Sequence, residues 1–403
     1  MRKGKTHRSG VTRRSVLTGA LGAAAVSVSR ATAQTTVGAP SPQGRLPNEL
    51  GGRAPQEQPR RVPIPTSSRT PLQDLHGTVT PADLHFERHH SGLAVIDPAS
   101  YRLVVHGLVE RPMMFTLEDL KRFPQVSRLC FLECSGNFTR TAGEKTTAQA
   151  LLGLTSQSEW AGVRLATLLR EVGARPQATW FLAEGQDAAQ MTRSIPLKEV
   201  LDEAIVAYGQ NGEALRPEQG YPVRLLLPGL EGNASVKWLR RLELADQPFM
   251  TREETSRYTD PLADGTSRQF SFAMDARSIV TSPSYPQRVR PGWIEIRGLA
   301  WSGRGRIERV EVSTDRGARW RAAELQAPVL PKAHTRFRLV WQWDGQPTEI
   351  LSRAIDETGY VQPEWPALLA ARGRRTRYHL NPVTGWMIGA DGQVLFGIER
   401  VKA

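Results

Sequence analysis

Cys134 is the residue of this sequence whose type and setting are best suited to chemistry. It follows an apolar run at 129–133 and opens a polar turn, CSGN. A thiol presented by a turn can ligate a metal or act as a nucleophile, because the thiolate serves both purposes. Cys130 lies inside the apolar run, and we expect it to be a buried, unreactive side chain.

A disulfide between these two residues is the simplest alternative, since the 403-residue chain contains 2 cysteines. If 129–133 forms a strand, a rise of about 3.3 Å per residue places the two α-carbons farther apart than the ~7 Å limit for a disulfide. Pairing would require a bend or a helix at this point. The sequence therefore favours two free thiols of different character.

The N-terminus has the pattern of an export signal. The pair Arg13-Arg14 precedes an apolar stretch from Val16 to Val28, and the sequence ATA at 31–33 is typical of a cleavage site. The apolar stretch is too short to span a bilayer. We predict a twin-arginine signal peptide at 1–33, export of the folded protein to the periplasm, and no membrane anchor. A chance pair of arginines is the alternative.

The formal net charge of +13 overstates how basic the exported protein is. Residues 1–34 contain seven Lys or Arg and no acidic residue. The remaining arginines are scattered and form no Lys-rich block, so nucleic-acid binding is not expected. Arginines distributed in this way can instead bind an anionic substrate or cofactor in a pocket.

Composition divides the rest of the chain into three parts. Residues 34–75 are rich in Pro, Gly, Gln and Ser, which predicts a linker or an arm lying on a partner. Residues 76–268 alternate short apolar runs with amphipathic patterns and indicate a mixed α+β domain. The predicted elements of that domain are helices at 116–123, 163–173 and 196–204 and a buried strand at 222–229.

Residues 269–403 have the period-two alternation of short strands separated by turns. In TRFRLVWQWDG, Phe337, Leu339, Trp341 and Trp343 would share one face of a strand. This pattern predicts an immunoglobulin-like β-sandwich without that fold's usual cysteine pair.

Four stretches of the chain form one pattern: FERHHSGL (86–93), ECSGN (133–137), EGQD (184–187) and LRPEQGYPVRLLLPGLEGNASVKWLRRLEL (215–244). Together these stretches resemble the sulfite oxidase family of molybdenum enzymes. A further stretch, AWSGRGRIERVEVSTDRG (300–317), is similar to the start of that family's dimerisation domain. Residues 84–112 and 378–399 look most like the family's sulfane dehydrogenase (SoxC-type) branch. The resemblance covers nearly everything from about residue 80 onward and implies a mixed α/β molybdopterin-binding domain followed by an immunoglobulin-like dimerisation domain.

The resemblance implies one molybdenum-molybdopterin per chain, with Cys134 as both metal ligand and catalytic residue. A soft sulfur ligand suits a transition metal, and coordination deprotonates the thiol. Arg88 and Tyr258 are implied as further catalytic residues facing an anionic substrate. The pterin carries a phosphate, which cationic side chains and backbone N–H groups bind. The implied cofactor-binding residues are His89, His90, Ser91, Gly92, Asp187, Gln219, Arg224, Ser235, Val236 and Lys237.

Three departures from the family's pattern put free sulfite in doubt as the substrate. Thr139, followed by Arg140, stands where the family often has an arginine. Gln219 replaces a histidine, and HHSG at 89–92 replaces an Asn-His pair. A zinc site made by the histidines at 85, 89 and 90 is an alternative, because i and i+4 histidines share a helix face. No further ligand in the sequence completes it.

The resemblance implies oxygen-atom transfer to an electron-rich sulfur, with electrons leaving to a partner. The sequence contains no Cys-x-x-Cys-His motif for haem attachment. Haem is therefore expected only on a partner subunit, which the resemblance makes a c-type cytochrome in a homodimer or heterotetramer. The expected substrate is a sulfane sulfur on a cysteine of a carrier protein. Free sulfite is the alternative substrate, and a cofactor-free exported binding protein is the remote alternative.

Overall fold

Strands form most of this protein, and its helices are short. The computed structural model describes residues 51–262 and 264–401, so the predicted signal peptide lies outside the described residues. Everything described below belongs to the unit Pro55–Ala403. The α-helices of the described residues are α1 (Leu117–Lys121), α2 (Ala148–Leu152), α3 (Leu165–Glu171), α4 (Leu197–Val200) and α5 (Trp365–Arg372).

The N-terminal half contains two five-stranded sheets around a shared apolar core. The strands of this half are β1 (Val62–Ile64), β2 (Ser67–Arg69), β3 (Glu87–Arg88), β4 (Leu103–Gly107), β5 (Met113–Phe115), β6 (Gln125–Glu133), β7 (Thr155–Arg164), β8 (Trp180–Gly185), β9 (Thr192–Pro196), β10 (Ile205–Gln210), β11 (Glu213–Ala214), β12 (Arg224–Leu226), β13 (Leu239–Ala245), β14 (Asp260–Pro261) and β15 (Ser267–Arg268). One sheet has the order β11-β10-β7-β6, with β12 also paired to β10. The other has the order β5-β4-β13-β8-β9, in which β4 and β13 run parallel.

The predicted helices of this half are present but shorter than their sequence patterns. Thr116 and Asp119 form a reciprocal capping box at the start of α1. Helix α3 is followed by Gly173 in the left-handed region, at φ +65°. Helix α4 begins only after Pro196, because that proline still pairs in β9. Together with the strands, these elements give the mixed α+β domain that was predicted.

The last part of the predicted linker, 34–75, is folded against this domain. Strands β1 and β2 pair with each other, and β2 pairs with β3. Leu72 is 1% exposed, and Gln149 donates to the carbonyls of Arg60 and Arg69. The described part of this segment therefore packs on its own chain. Its stretch SSRTPL (67–72) supplies strand residues and a buried leucine, although the average composition of 34–75 predicts a linker.

The C-terminal half is a β-sandwich, as predicted. Its strands are β16 (Arg277–Ser282), β17 (Gly292–Trp301), β18 (Ile307–Ser313), β19 (Arg321–Ala322), β20 (Glu324–Gln326), β21 (Thr335–Trp343), β22 (Thr348–Asp356), β23 (Thr384–Ile388) and β24 (Val394–Phe396). One sheet has the order β16-β17-β21-β20 and the other β19-β18-β22-β23-β24. Phe337 and Trp343 of β21 are buried in the core between them with Trp386 of β23, consistent with the predicted alternation.

A buried ion pair joins the two halves directly beside Cys134. Glu133, the last residue of β6, accepts from Arg277 Nη1 at 2.6 Å and from Trp301 Nε1 at 2.7 Å. It also accepts from Asn137 Nδ2 at 3.0 Å. The strand that leads into the CSGN turn is therefore fixed to the sandwich. In the described ranges, no helix is long and apolar enough to span a membrane.

Candidate active site

A cavity opens where the turn after β6 meets β3, β12 and the segment before β13. It contains about 1130 Å³ of empty space, counting the part open to solvent, which is ample for a cofactor-sized ligand. All the predicted site residues except Ser91 and Gly92 line it; those two are exposed just beyond His90. The predicted residues in the lining are Arg88, His89, His90, Cys134, Asp187, Gln219, Arg224, Ser235, Val236, Lys237 and Tyr258.

Cys134 is presented to the cavity by a turn in which both of its own backbone groups are hydrogen-bonded. Its N–H donates to the carbonyl of Leu154 at 3.0 Å, and its carbonyl accepts from Asn137 N–H at 2.9 Å. Burial raises the pKa of the Cys134 thiol, while the Gly136 backbone and Arg88 act in the opposite direction. The thiol is free and partly exposed to the cavity, so it is available to a metal that would deprotonate it.

Cys130 has the inert character that the sequence predicts. It is free, 0% exposed and packed in an apolar cluster. Burial raises the pKa of its thiol to about 12. The two cysteines are therefore unpaired. Cys130 lies within the extended strand β6, and Cys134 lies in the turn that follows it.

Arg224 is a buried cation whose partners are neutral. Its side chain is 3% exposed and donates to the carbonyls of Gln219 at 3.1 Å and Ser235 at 2.9 Å. The guanidinium lies 4.9 Å from the centre of the Trp160 ring. Burial lowers the pKa of Arg224 to about 9, since no carboxylate of the described residues lies within ion-pair distance. A charge placed in this way needs an anion to offset its lost hydration.

Lys237 repeats this arrangement on the other side of the cavity. Its Nζ lies 2.8 Å from His89 Nδ1 and donates to the carbonyls of Glu218 and Arg88 at 2.9 and 3.2 Å. Burial lowers its pKa well below the usual value, and the neighbouring Arg224 adds to this effect. Arg224 and Lys237 therefore both face the cavity, and neither forms an ion pair with a carboxylate of the described residues.

Acceptors for a ligand lie in the same cavity. Asp187, in the turn after β8, is 5% exposed and its carboxylate accepts from the Met191 N–H at 3.0 Å. His85 Nε2 and Asn233 Oδ1 also line the cavity region but have no hydrogen-bond partner within the described residues. Buried polar atoms without partners indicate a ligand that would satisfy them.

Tyr258 follows the π-helical turn Glu253–Arg257 and points into the cavity. Its hydroxyl lies 2.8 Å from His90 Nε2, and the Arg193 guanidinium lies 4.9 Å from its ring centre. Burial raises the pKa of Tyr258 far above its usual value. Burial lowers the pKa of His90 to about 4, with Arg88 adding to the shift. Both groups are therefore uncharged near pH 7.

The three departures from the family's pattern have separate places in the structure. Thr139 Oγ1 accepts from Arg69 Nη1 at 3.0 Å, and Arg140 donates to the carbonyl of Thr376 at 3.0 Å. Neither residue lines the cavity. Gln219 does, donating to the Phe86 carbonyl at 2.9 Å. The loop that contains Thr139 and Arg140 therefore contributes no guanidinium to the cavity near Cys134.

Sequence reasoning missed several lining residues. Arg257 and Trp238 are direct neighbours of predicted residues, so adjacency could have identified them. Tyr378, whose ring centre lies 5.2 Å from that of Tyr258, begins the stretch at 378–399 and comes from the other half of the chain. The zinc alternative is not supported, because no group of three His, Cys, Asp or Glu within residues 51–262 and 264–401 is placed to hold a metal ion.

These residues fit a phosphate-bearing pterin whose metal takes one protein ligand. The uncompensated cations Arg224 and Lys237 can bind a phosphate. The Asp187 carboxylate can accept from ring N–H donors. The partly exposed Cys134 supplies a single sulfur, as a metal chelated mainly by its own cofactor requires.

Two family models match the chain. Residues 90–253 match the oxidoreductase molybdopterin binding domain. Residues 268–384 match the Mo-co oxidoreductase dimerisation domain.

Curated relatives match over most of this chain. It is 31% identical to the mitochondrial sulfite oxidase of Drosophila melanogaster over 79% of its own length and 62% of the relative's. It is 31% identical to the sulfite oxidase of Gallus gallus over 71% of its own length and 68% of the relative's. Against the NADH nitrate reductase of Ulva prolifera it is 30% identical, over 74% of its own length and 40% of the relative's. The chain thus spans less than two thirds of several relatives it matches.

A solved structure matches more fully. The crystal structure of the sulfane dehydrogenase SoxCD from Paracoccus pantotrophus superimposes with a TM-score of 0.84 at 44% identity. The match covers 88% of this chain and 95% of that one.

Proposed function

This chain belongs to the sulfite oxidase family of molybdopterin oxidoreductases, and we propose that it oxidises sulfane sulfur bound to a cysteine of a carrier protein. Molybdenum-molybdopterin is its cofactor. The observation that carries the substrate assignment is the 44% identity over 95% of a sulfane dehydrogenase chain, against 31% for the Drosophila and Gallus sulfite oxidases.

The residues of the cavity have distinct roles in holding the cofactor. Cys134 would ligate the metal, and Arg224 and Lys237 would bind the phosphate together with Ser235 and the backbone at Val236. Asp187 would accept from the pterin's N–H groups. His89, His90, Ser91 and Gly92 would form a loop that contacts the pterin, and Gln219 would contact the cofactor from the turn at 217–219.

When bound, this cofactor supplies two-electron oxygen-atom transfer to sulfur. Arg88 and Arg257 give the cavity a positive field that draws in an anionic sulfur group. Tyr258, whose hydroxyl stays protonated, can donate a hydrogen bond to an oxygen on the substrate. His90 Nε2 lies 2.8 Å from that hydroxyl; with the ring hydrogen on Nε2, the neutral imidazole would donate to the Tyr258 oxygen and leave the hydroxyl proton for the substrate.

The walls near the substrate position favour a sulfur carried on a longer group over free sulfite. A small dianion is bound best by several convergent cations, and Thr139 and Arg140 add none to the Arg88 and Arg257 that line the cavity. The rings of Tyr258 and Tyr378 instead provide an aromatic wall, which makes favourable contacts with sulfur. A peptide-borne persulfide fits such a wall better than sulfite does.

We propose a c-type cytochrome subunit as electron acceptor and the periplasm as the location. The predicted signal at 1–33 and the SoxCD likeness support both. The dimerisation-domain match at 268–384 supports a homodimer or a heterotetramer with the cytochrome.

The decisive experiment measures reduction of a c-type cytochrome by the molybdenum-loaded protein with two alternative substrates. One cuvette contains free sulfite and the other a carrier protein loaded with sulfane sulfur on its cysteine. We expect turnover with the carrier and little with sulfite. Vigorous turnover of sulfite alone would make this chain a sulfite dehydrogenase. If neither substrate is turned over and the protein binds less than about a tenth of an equivalent of molybdenum, the hypothesis of a cofactor-free binding protein would be favoured instead.

A further inference from the structure

Four exposed arginines lie on the two segments that carry Tyr258 and Tyr378 into the cavity. Three of them, Arg374, Arg375 and Arg377, lie on the segment 373–379, which also carries Tyr378 into the cavity. The fourth, Arg257, lines the cavity beside Tyr258. None of the four has a carboxylate within ion-pair distance in the described parts of the chain. These four residues are called the arginine rim below.

The segment that presents the rim is fixed in place. Arg140 donates to the carbonyl of Thr376 at 3.0 Å, and Thr376 Oγ1 donates to Asp260 Oδ1 at 3.1 Å. The N–H of His379 donates to the carbonyl of Ser135 at 2.8 Å, in the turn that carries Cys134. The rim is therefore held in a constant position relative to the thiol, as a docking surface requires.

Nearby acidic groups do not neutralise the rim. Asp260 is buried and lies 3.5 Å from Arg372. Asp275 is buried and pairs with Arg304 at 2.7 Å and also contacts Arg372. Because Asp260 and Asp275 are already paired with these other arginines, neither offsets the charge of the rim.

The layout of the rim suits an extended acidic surface better than a small anion. Residues 374–377 span about 10 Å if extended, and their side chains are exposed. A small anion is bound by donors that converge in a desolvated pocket. Exposed charges spread along a segment instead steer a large partner of opposite charge and set its orientation.

We propose that the arginine rim is the docking surface for an acidic face of the protein that delivers the sulfur substrate. This proposal rests on the proposed function, in which the substrate is attached to a carrier. Docking there would place the carrier's cysteine at the wall formed by Tyr258 and Tyr378. The main consequence is a faster encounter at low ionic strength, with chemistry at the metal unchanged.

A binding experiment tests the rim without any turnover. The probe is a fluorescein-labelled decapeptide of Asp and Glu, titrated at low salt with the full-length protein. The variant is R375E/R377E, and the matched control is R170E/R175E, which reverses two exposed arginines in and after α3 and changes the net charge equally. We expect binding to weaken at least tenfold in the rim variant and to stay within twofold in the control.

Two outcomes of this titration would overturn the proposal. Equal weakening in both variants would mean that net charge, and no particular surface, attracts the peptide. Binding of anionic lipid vesicles through Arg375 and Arg377, with no binding of the peptide, would make the rim a membrane-binding surface.

A kinetic experiment separates this proposal from the proposed function. With sulfane-loaded carrier, R375E/R377E should lower kcat/KM at least tenfold and leave kcat unchanged. If both variants oxidise the carrier with equal kcat/KM, the rim proposal fails and the proposed function stands. If the unaltered protein does not oxidise the carrier but binds the peptide through the rim, the proposed function fails and the rim remains an acidic-protein surface.

Discussion

Buried cations occur in two regions of this molecule, and their surroundings differ. In the framework behind the cavity, Arg277 pairs with Glu133 at 2.6 Å and Arg193 pairs with Glu254 at 2.7 Å. Inside the cavity, Arg224 donates only to carbonyl and amide oxygens, and Lys237 contacts two carbonyls and His89.

This difference separates structural charge from charge kept for a ligand. A carboxylate from the same chain offsets the desolvation of a buried cation and fixes its position. A buried cation without such a partner lowers stability unless an external anion binds. Substitutions in the framework should therefore cost stability, whereas substitutions in the cavity should cost cofactor retention and activity.

Cys134→Ser is expected to have the largest effect, because it removes the predicted metal ligand from the cavity. Turnover should fall by more than about a thousandfold and the thiolate-to-molybdenum absorption should disappear. The melting temperature of the metal-free protein should not change. Cytochrome reduction, visible absorption and thermal melting measure the three quantities. Cys130→Ser, in the core, should keep the absorption and lose stability; unchanged turnover in Cys134→Ser would refute the ligand assignment.

Arg277→Met tests the framework. It leaves Glu133 buried without its cation, so the free energy of unfolding should fall by about 3–5 kcal/mol, as measured by urea denaturation of the metal-free protein. Arg297→Met, at an exposed position of β17, is the control and should change stability by less than about 0.5 kcal/mol. A loss below 1 kcal/mol in Arg277→Met would show that this ion pair contributes little.

Lys237→Met tests the cavity by the same logic. Molybdenum retained after purification, measured by mass spectrometry of the metal, should fall about ten- to hundredfold. The metal-free variant should be as stable as the unaltered protein or slightly more so, since an uncompensated cation has been removed. If the variant instead loses stability and keeps its full metal content, Lys237 is a structural cation of the same kind as Arg277.

His334→Gln concerns a third kind of buried group, one kept neutral. Burial lowers the pKa of His334 to about 3, below the ~6.5 of the unfolded chain. The unfolded state therefore binds one more proton between these values, and stability falls as the pH drops from about 6.5 towards 3. The variant should reduce this slope by about 1.4 kcal/mol per pH unit. Gln342→Asn, an exposed substitution in the adjacent strand β21 that changes no titratable group, is the control and should leave the slope unchanged.

The sequence was sufficient to predict the strand–turn presentation of Cys134 and the buried state of Cys130, because both follow from local patterns. The alternation in TRFRLVWQWDG likewise predicted which face of β21 is buried. The resemblance to the sulfite oxidase family placed Arg224, Lys237 and Asp187 among the site residues, and the structure brings them into one cavity.

What the sequence could not reveal depends on contacts between distant segments. Arg193 and Arg224 both lie in or beside strands and look alike in the sequence, yet one has carboxylate partners and the other has none. Tyr378 joins Tyr258 only because the C-terminal half packs against the CSGN turn. Ser91 and Gly92 were expected in the cavity, but the chain turns towards solvent after His90.

The ion pair between Glu133 and Arg277 also has a consequence for biosynthesis. Its two residues are separated by 144 positions, and the Ser135 carbonyl in the turn after Glu133 accepts from the N–H of His379, in the C-terminal half. A chain still emerging from the ribosome therefore lacks the contacts that shape the metal-binding turn. Cofactor insertion is therefore expected only after the segment around His379 has been synthesised, so chains truncated before that segment should remain empty and be distinguishable by their lack of metal.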